Sequence, residues 1–146
     1  MATLQEILRA KGHDVWTISP DAVVYEALSL MAEKNVGALV VVEGPRVVGI
    51  ISERDYARNV ILQGKSSRET PVKDIMTSRV YYARPKQTAL ECMALMTDKH
   101  VRHVPVLEDD RLVGVISIGD AVKTIIEEQA FVIQRYEEYI TGGRQV

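Results

Sequence analysis

Hydrophobic positions along this chain alternate between a helical and a strand-like spacing, and the alternation runs through twice. Leu4, Ile7 and Leu8 make a short amphipathic piece that breaks at Lys11-Gly12-His13-Asp14, which predicts a lead-in arm. Val15 to Pro20 is extended by residue type, and Pro20 disfavours helix at the residue before it. From Asp21 onward Val24, Ala27, Leu28 and Met31 recur at helical spacing until Asn35-Val36-Gly37 ends the segment. The runs 38–42 and 47–51 read as two strands of a hairpin around Glu43-Gly44-Pro45-Arg46. A second helix follows Ser52, with Tyr56, Ala57, Val60 and Ile61 as its inward face and Gly64 as its stop.

The pattern restarts at Val72-Lys73-Asp74-Ile75-Met76-Thr77, and an ungapped offset of 65 superposes residues 15–62 on 80–127. Identical pairs include Pro20/Pro85, Met31/Met96, Lys34/Lys99, Val36/Val101, Gly49/Gly114, Ser52/Ser117 and Asp55/Asp120. An unbroken match of that length marks an internal repeat. Each unit reads strand, helix, strand, strand, helix. Such a unit is too small to bury both faces of its sheet, so the fold class is α/β (α+β): two βαββα repeats packed sheet to sheet with pseudo-twofold symmetry. The divisions are residues 1–64 for the arm and first repeat, a short polar linker at 65–71, and 72–146 for the second repeat.

The chemistry concentrates where strand meets helix. Gly49-Ile50-Ile51-Ser52-Glu53-Arg54-Asp55 returns as Gly114-Val115-Ile116-Ser117-Ile118-Gly119-Asp120. A helix start leaves backbone N–H groups unpartnered and carries partial positive charge, so it can receive phosphate, and an Asp carboxylate beside it can accept from two vicinal hydroxyls. The same Ser and Asp also satisfy a capping box, and both readings stay open for either copy alone. Clefts bounded by one copy's turn and the other copy's arm follow from the pairing, and there are two.

Composition narrows the function. At 146 residues and 47% hydrophobic the chain has ample core, and 18 Lys and Arg against 20 Asp and Glu leave a formal charge of −2, which offers nothing to nucleic acid. No apolar stretch has membrane-span length and Met1 to Glu6 has no leader-like pattern, so a cytoplasmic location is expected, with no membrane partner. The single Cys92 sits among Leu90, Met93 and Met96 and reads as a small core residue. No nucleophile–base pair, metal-ligand cluster or phosphate-loop sequence appears, so the expected role is non-catalytic.

These residues resemble a known family, the paired cystathionine-β-synthase (CBS) domain module. The resemblance rests on Ile75-Met76-Thr77, on Val101-Arg102-His103-Val104-Pro105-Val106 and on both Gly-x-x-Ser-x-x-Asp turns, and it covers nearly the whole chain. It implies a regulatory sensor that binds adenosine-containing ligands between the repeats: commonly AMP, ADP or ATP, and in some members NAD or S-adenosylmethionine. By that resemblance Asp120 takes ribose hydroxyls and Ser117 ribose or phosphate in one cleft, Arg102 and His103 reach phosphate, and Lys11-Gly12-His13, Val36 and Gly37 border adenine and ribose. Val101 and Ala38 flank those positions. In the other cleft Asp55 and Ser52 repeat the roles with Thr77, and Arg54 faces phosphate. Gly37-Ala38 stands where the second repeat has Arg102-His103, so the clefts are expected to differ. A purely structural oligomerisation module is the competing reading, and Trp16, Tyr81 and Tyr82 are expected mainly to pack.

Past Asp120 the second helix outruns its counterpart, with Val122, Ile125, Ile126, Ala130, Ile133, Tyr136 and Ile140 at helical spacing up to Gly142-Gly143. Either the arm or a second subunit has to cover this stripe. CBS pairs often associate as discs, which implies a homodimer using Phe131, Ile133, Tyr136 and Ile140, with an unidentified effector protein as the regulated chain.

Overall fold

The computed structural model describes residues 1–141. The first repeat contains a helix α1 (Leu4–Lys11), a two-residue strand β1 (Thr17–Ile18), α2 (Val24–Lys34), β2 (Ala38–Glu43), β3 (Arg46–Ser52) and the short α3 (Glu53–Tyr56). After a 3-10 turn at Val72–Asp74 come α4 (Ala89–Lys99), β4 (His103–Glu108), β5 (Arg111–Ser117) and the long α5 (Ile118–Thr141). β1 runs parallel to β2, which pairs antiparallel with β3. In the second repeat β4 and β5 form the same hairpin, and the first strand shrinks to a parallel bridge between Ala83 and Val106.

The duplication persists in three dimensions at the same offset. Both hairpins bulge at equivalent points, between Val41 and Val42 and between Val106 and Leu107, and the burial patterns of β2 and β4, and of β3 and β5, are identical. Asn35 and His100 both end their helices in the left-handed conformation. The hairpin tips differ. Asp109 and Asp110 both have positive φ, as a type I′ turn demands, whereas Gly44 alone does so before Pro45, whose ring fixes a negative φ.

Each repeat has its own core, and the arms exchange. Leu4, Ile7 and Leu8 are buried with Cys92, Met96, Val104 and Ile116 of the second repeat, while Val72 and Ile75 are buried with Val24, Met31, Val41 and Ile51 of the first. Backbone hydrogen bonds secure both, from the Leu4 N–H to the Gln87 carbonyl and from the Val72 N–H to the Ala22 carbonyl. The two glycines of the strand-to-helix motifs make room for this. A Cβ on Gly49 would lie 2.7 Å from Met76 Sδ, and one on Gly114 would lie 2.5 Å from Leu8 Cδ2.

One expectation changes, and one of two alternatives closes. Ala57 and Ile61 are exposed, on the side of the helix turned away from the buried Val60, and their counterparts Val122 and Ile126 in α5 are exposed as well; residues Ala57–Ile61 wind as a π-helical turn. The arm does not cover the far half of α5. It reaches only as far as a hydrogen bond from the Ala2 N–H to Glu128, and Phe131, Ile133, Tyr136 and Ile140 stay exposed. The stop at Gly142-Gly143 lies outside the described residues. Cys92 is buried, and burial pushes its thiol up to about 11, so it stays neutral as a core residue.

Candidate functional site between the repeats

Both strand-to-helix turns close as capping boxes. The Asp55 N–H donates to Ser52 Oγ at 3.2 Å, while the Ser52 N–H donates to Asp55 Oδ2 at 2.9 Å. The second turn repeats this with 3.1 Å from the Asp120 N–H to Ser117 Oγ and 2.9 Å from the Ser117 N–H to Asp120 Oδ2. Capping and ligand binding are thus compatible, since a carboxylate capping through one oxygen retains acceptor capacity on the other.

The arms then treat the two carboxylates differently. Lys11, the last residue of α1, donates from Nζ to Asp120 Oδ2 at 2.6 Å and to the Val115 carbonyl at 3.0 Å. In the other copy Thr77 Oγ1 donates to Asp55 Oδ1 at 3.3 Å, and backbone hydrogen bonds link Thr77 with Ile50 in both directions. Burial raises the pKa of Asp120, but the hydrogen bond from Lys11, those from Ser117 and the lysine's charge outweigh it and hold the carboxyl below its ordinary value.

Beside the Lys11–Asp120 pair opens a cleft of about 480 Å³. Lys11 and Gly12 line it from the arm, Val36, Gly37 and Ala38 from the first repeat, and His103 and Ser117 from the second. Val40 and Ile50 face Val115 across it, so the two sheets meet here and give the cleft an apolar wall. The His103 ring approaches Gly37, where an added Cβ would stand 3.9 Å from its Nε2. Burial lowers the pKa of His103 most strongly, and nearby Lys11 and Arg102 lower it further against the opposing pull of Asp120 and Glu53, so the imidazole is neutral at pH 7.

Seven of the expected site residues therefore line one cleft, and Asp120 joins them through Lys11. Ser52, Asp55 and Thr77 are joined to one another by hydrogen bonds and lie outside that lining. His13 is exposed and is not part of the lining, since the chain turns away after Gly12, whose φ of 104° few other residues adopt. Arg54 and Arg102 are exposed, and Val101 is half-buried against the second core. Asp14 and Asn35 also line the cleft, although their local sequence marks only a turn and a helix end. Trp16 lines it too, packed on the first core with Lys34 Nζ 4.4 Å from its ring centroid, and Lys99 repeats this over Tyr81 at 5.4 Å. Among the described residues no group of three or more His, Cys, Asp or Glu is placed to hold a metal, and no helix is long and apolar enough to cross a membrane.

Comparison with known proteins places this geometry. The family described as CBS domain matches residues 3–61 and 72–127. The mitochondrial CBS domain-containing protein CBSX3 of Arabidopsis thaliana is 41% identical over 97% of this chain and 73% of its own. YhcV of Bacillus subtilis, a CBS domain-containing protein, is 34% identical over 80% of this chain and 83% of its own. Among solved structures, a putative signal-transduction protein with CBS domains from Burkholderia ambifaria superposes with a TM-score of 0.84 at 50% identity, covering 88% of this chain and 96% of that one. With two family matches laid end to end on two structurally equivalent repeats, the chain belongs to the CBS-domain family and carries its tandem pair.

Proposed function

We propose that this chain is a non-catalytic regulatory module that binds an adenosine-containing nucleotide, AMP, ADP, ATP or NAD, in the cleft beside Lys11 and Asp120. CBS-domain pairs are regulatory modules for adenosine-containing ligands, and no catalytic family is indicated. The observation that carries the reading is the convergence of an acceptor (Asp120), a hydroxyl (Ser117), a cation (Lys11) and a neutral imidazole (His103) around an apolar wall. An adenine ring fits between Val36, Val40 and Val115. Ribose hydroxyls donate to Asp120 in competition with Lys11, and the displaced ammonium and His103 take phosphate. Binding would reorganise the arm and shift how the module sits against its dimer mate or an effector protein.

Calorimetric titration against AMP, ADP, ATP, NAD and S-adenosylmethionine tests this. The expected result is binding of at least one, weakened in Asp120→Ala, and a raised 260/280 nm absorbance ratio in freshly purified protein if nucleotide is retained. The S-adenosylmethionine arm is included because a CBS domain pair, protein MJ0100, was solved in complex with that ligand and 5′-methylthioadenosine, although at 24% identity it shares with this chain only the fold. The Lys11–Asp120 pair also favours a second reading, a structural module whose ribose position is filled from within. Silence towards all five ligands, in wild type and in Lys11→Met, would establish that second reading.

Assembly as a disc-like homodimer in the cytoplasm is part of the same proposal. Ile61 and Ile126, 65 residues apart, are 56% and 60% exposed, so equivalent helix faces of both repeats are uncovered. A hexameric CBS-CP12 protein from bloom-forming cyanobacteria, 25% identical, shows that a related fold also assembles otherwise. Light scattering distinguishes these sizes.

A further inference from the structure

We infer that α5 pairs antiparallel with α5 of a second copy, in one register centred near Ala130. This rests on the homodimer proposed above and specifies how it is built. Val122, Ile126, Ile133, Tyr136 and Ile140 form a stripe along one side of α5, exposed from 37% at Val122 to 70% at Ile140. Ile126, Ile133 and Ile140 are seven residues apart, and so are Val122, Gln129 and Tyr136. A strict seven-residue repeat holds an apolar seam in line with a partner helix, whereas a helix that only covers its own domain keeps a 3.6-residue period. The N-terminal part of α5 serves its own core through Ala121 and Ile125, so the seam is additional to folding.

Charge selects the orientation and register. Lys123 and Glu137 flank the seam, are both exposed, and lie fourteen residues apart, symmetrically about Ala130. Antiparallel pairing about that point sets Lys123 opposite the partner's Glu137 at both ends. Centring the pairing one residue on, at Phe131, layers Ile126 on the partner's Tyr136, Ile133 on the partner's Gln129 and Ile140 on the partner's Val122, and leaves Lys123 and the partner's Glu137 within about 3 Å of level along the axis. It also lays each helix N-terminus beside its mate's C-terminal half, so the helix dipoles oppose favourably. A parallel in-register pair would hold Lys123 and the partner's Glu137 roughly 21 Å apart along the axis, and they would never meet. The shallow groove lined by Val132, Arg135, Tyr136 and Tyr139 continues the seam on the far half.

Sedimentation equilibrium of the full chain tests this with five variants. Ile133→Asp, at an exposed position, should leave the fold intact and shift the protein to monomer, while Ile61→Asp, on the shorter face of the first repeat, should weaken the dimer without abolishing it. Lys123→Glu and Glu137→Lys should each weaken dimerisation about three- to tenfold, the range expected for two exposed ion pairs reversed together. Lys123→Glu combined with Glu137→Lys should restore it, because only the antiparallel register brings the two positions together. A dimer that survives Ile133→Asp but not Ile61→Asp overturns the α5 seam and keeps the homodimer. Loss of dimer in Ile133→Asp without rescue by the charge swap overturns the antiparallel register alone. A wild-type monomer at tens of micromolar overturns both, while nucleotide binding is read independently by calorimetry.

Discussion

The two repeats match at the level of hairpin bulges and burial, yet the two arms that cross between them do not match. Leu8 and Met76 occupy equivalent places, each against the glycine of the facing strand, but they are 68 residues apart where the repeats superpose at 65. The first arm thus carries three extra residues before the repeat begins. Those residues extend α1 to Lys11 and set an ammonium on Asp120, whereas the shorter second arm uncoils after a 3-10 turn and sets the Thr77 hydroxyl on Asp55. About one helical turn of arm therefore decides whether a capping carboxylate is paired with a cation or with a hydroxyl. Duplication supplies two identical acceptors, and arm length makes them chemically different.

The comparison breaks most visibly in the cores. Leu8 is fully buried in the second repeat's core, while Met76 is only half-buried against the first. Leu8→Ala should cost about 2–5 kcal/mol, as buried leucine truncations do, and Met76→Ala distinctly less. Urea denaturation measures both. Equal costs would mean that the arms are equally anchored and that the extra residues leave packing unchanged.

The acceptors come next. Asp120→Ala and Asp55→Ala should each weaken adenosine ligands by about 1–3 kcal/mol, the usual loss for charge-assisted hydrogen bonds, with each variant affecting a different site. Asp120→Ala also frees Lys11, so its loss should be partly offset for triphosphate relative to adenosine. Calorimetry with AMP, ATP and adenosine separates the two clefts. Unaltered binding of every ligand by the double variant would remove both carboxylates from the site.

A narrower change copies one repeat onto the other. Replacing Arg102-His103 by Gly-Ala, the residues at Gly37-Ala38, should lower the preference for phosphorylated ligands over adenosine while adenosine binds about equally. His103 lines the cleft and Arg102 is exposed near it, so the histidine alone should account for most of the change. An unchanged preference would assign phosphate to Lys11.

The frame was legible in the sequence because it rests on local signals repeated at fixed distance: the apolar runs of β2 and β3 and of their counterparts β4 and β5, and the glycines before Ser52 and Ser117. Those signals also located the capped Asp residues. The exchange of arms into opposite cores was harder to read, since Leu4, Ile7 and Leu8 show that they bury a face without showing against which repeat. The Lys11–Asp120 pair spans 109 positions and depends on that exchange, so Lys11 read only as a border of the ligand. The π turn at Ala57–Ile61 left no mark in the periodicity, because Tyr56 and Val60 still fit an ordinary helix. Asp14 and Asn35 enter the cleft only through the curvature of the chain around it.

The smallest expected effect separates the repeats by pH. His103 is held below its ordinary value of 6.5 mainly by burial, so it is neutral in the folded protein while the unfolded chain still binds a proton between the two values. More protons on the unfolded state mean that stability rises with pH, so this contribution is lost as pH falls from 6.5 through the folded value. Asp120 acts lower. Its folded value lies below 3.8, so its contribution is complete above 3.8 and is lost as pH falls through that lower folded value. The first repeat has Ala38 at the position of His103 and contributes nothing there. Stability to urea of the wild type should therefore rise with pH up to about 6.5, by less than the one-proton limit of about 1.4 kcal/mol per pH unit. His103→Ala should flatten that rise and leave the fall below pH 4 in place. A slope that survives the substitution would assign the titration to groups outside the cleft and leave the neutral imidazole without an effect on folding.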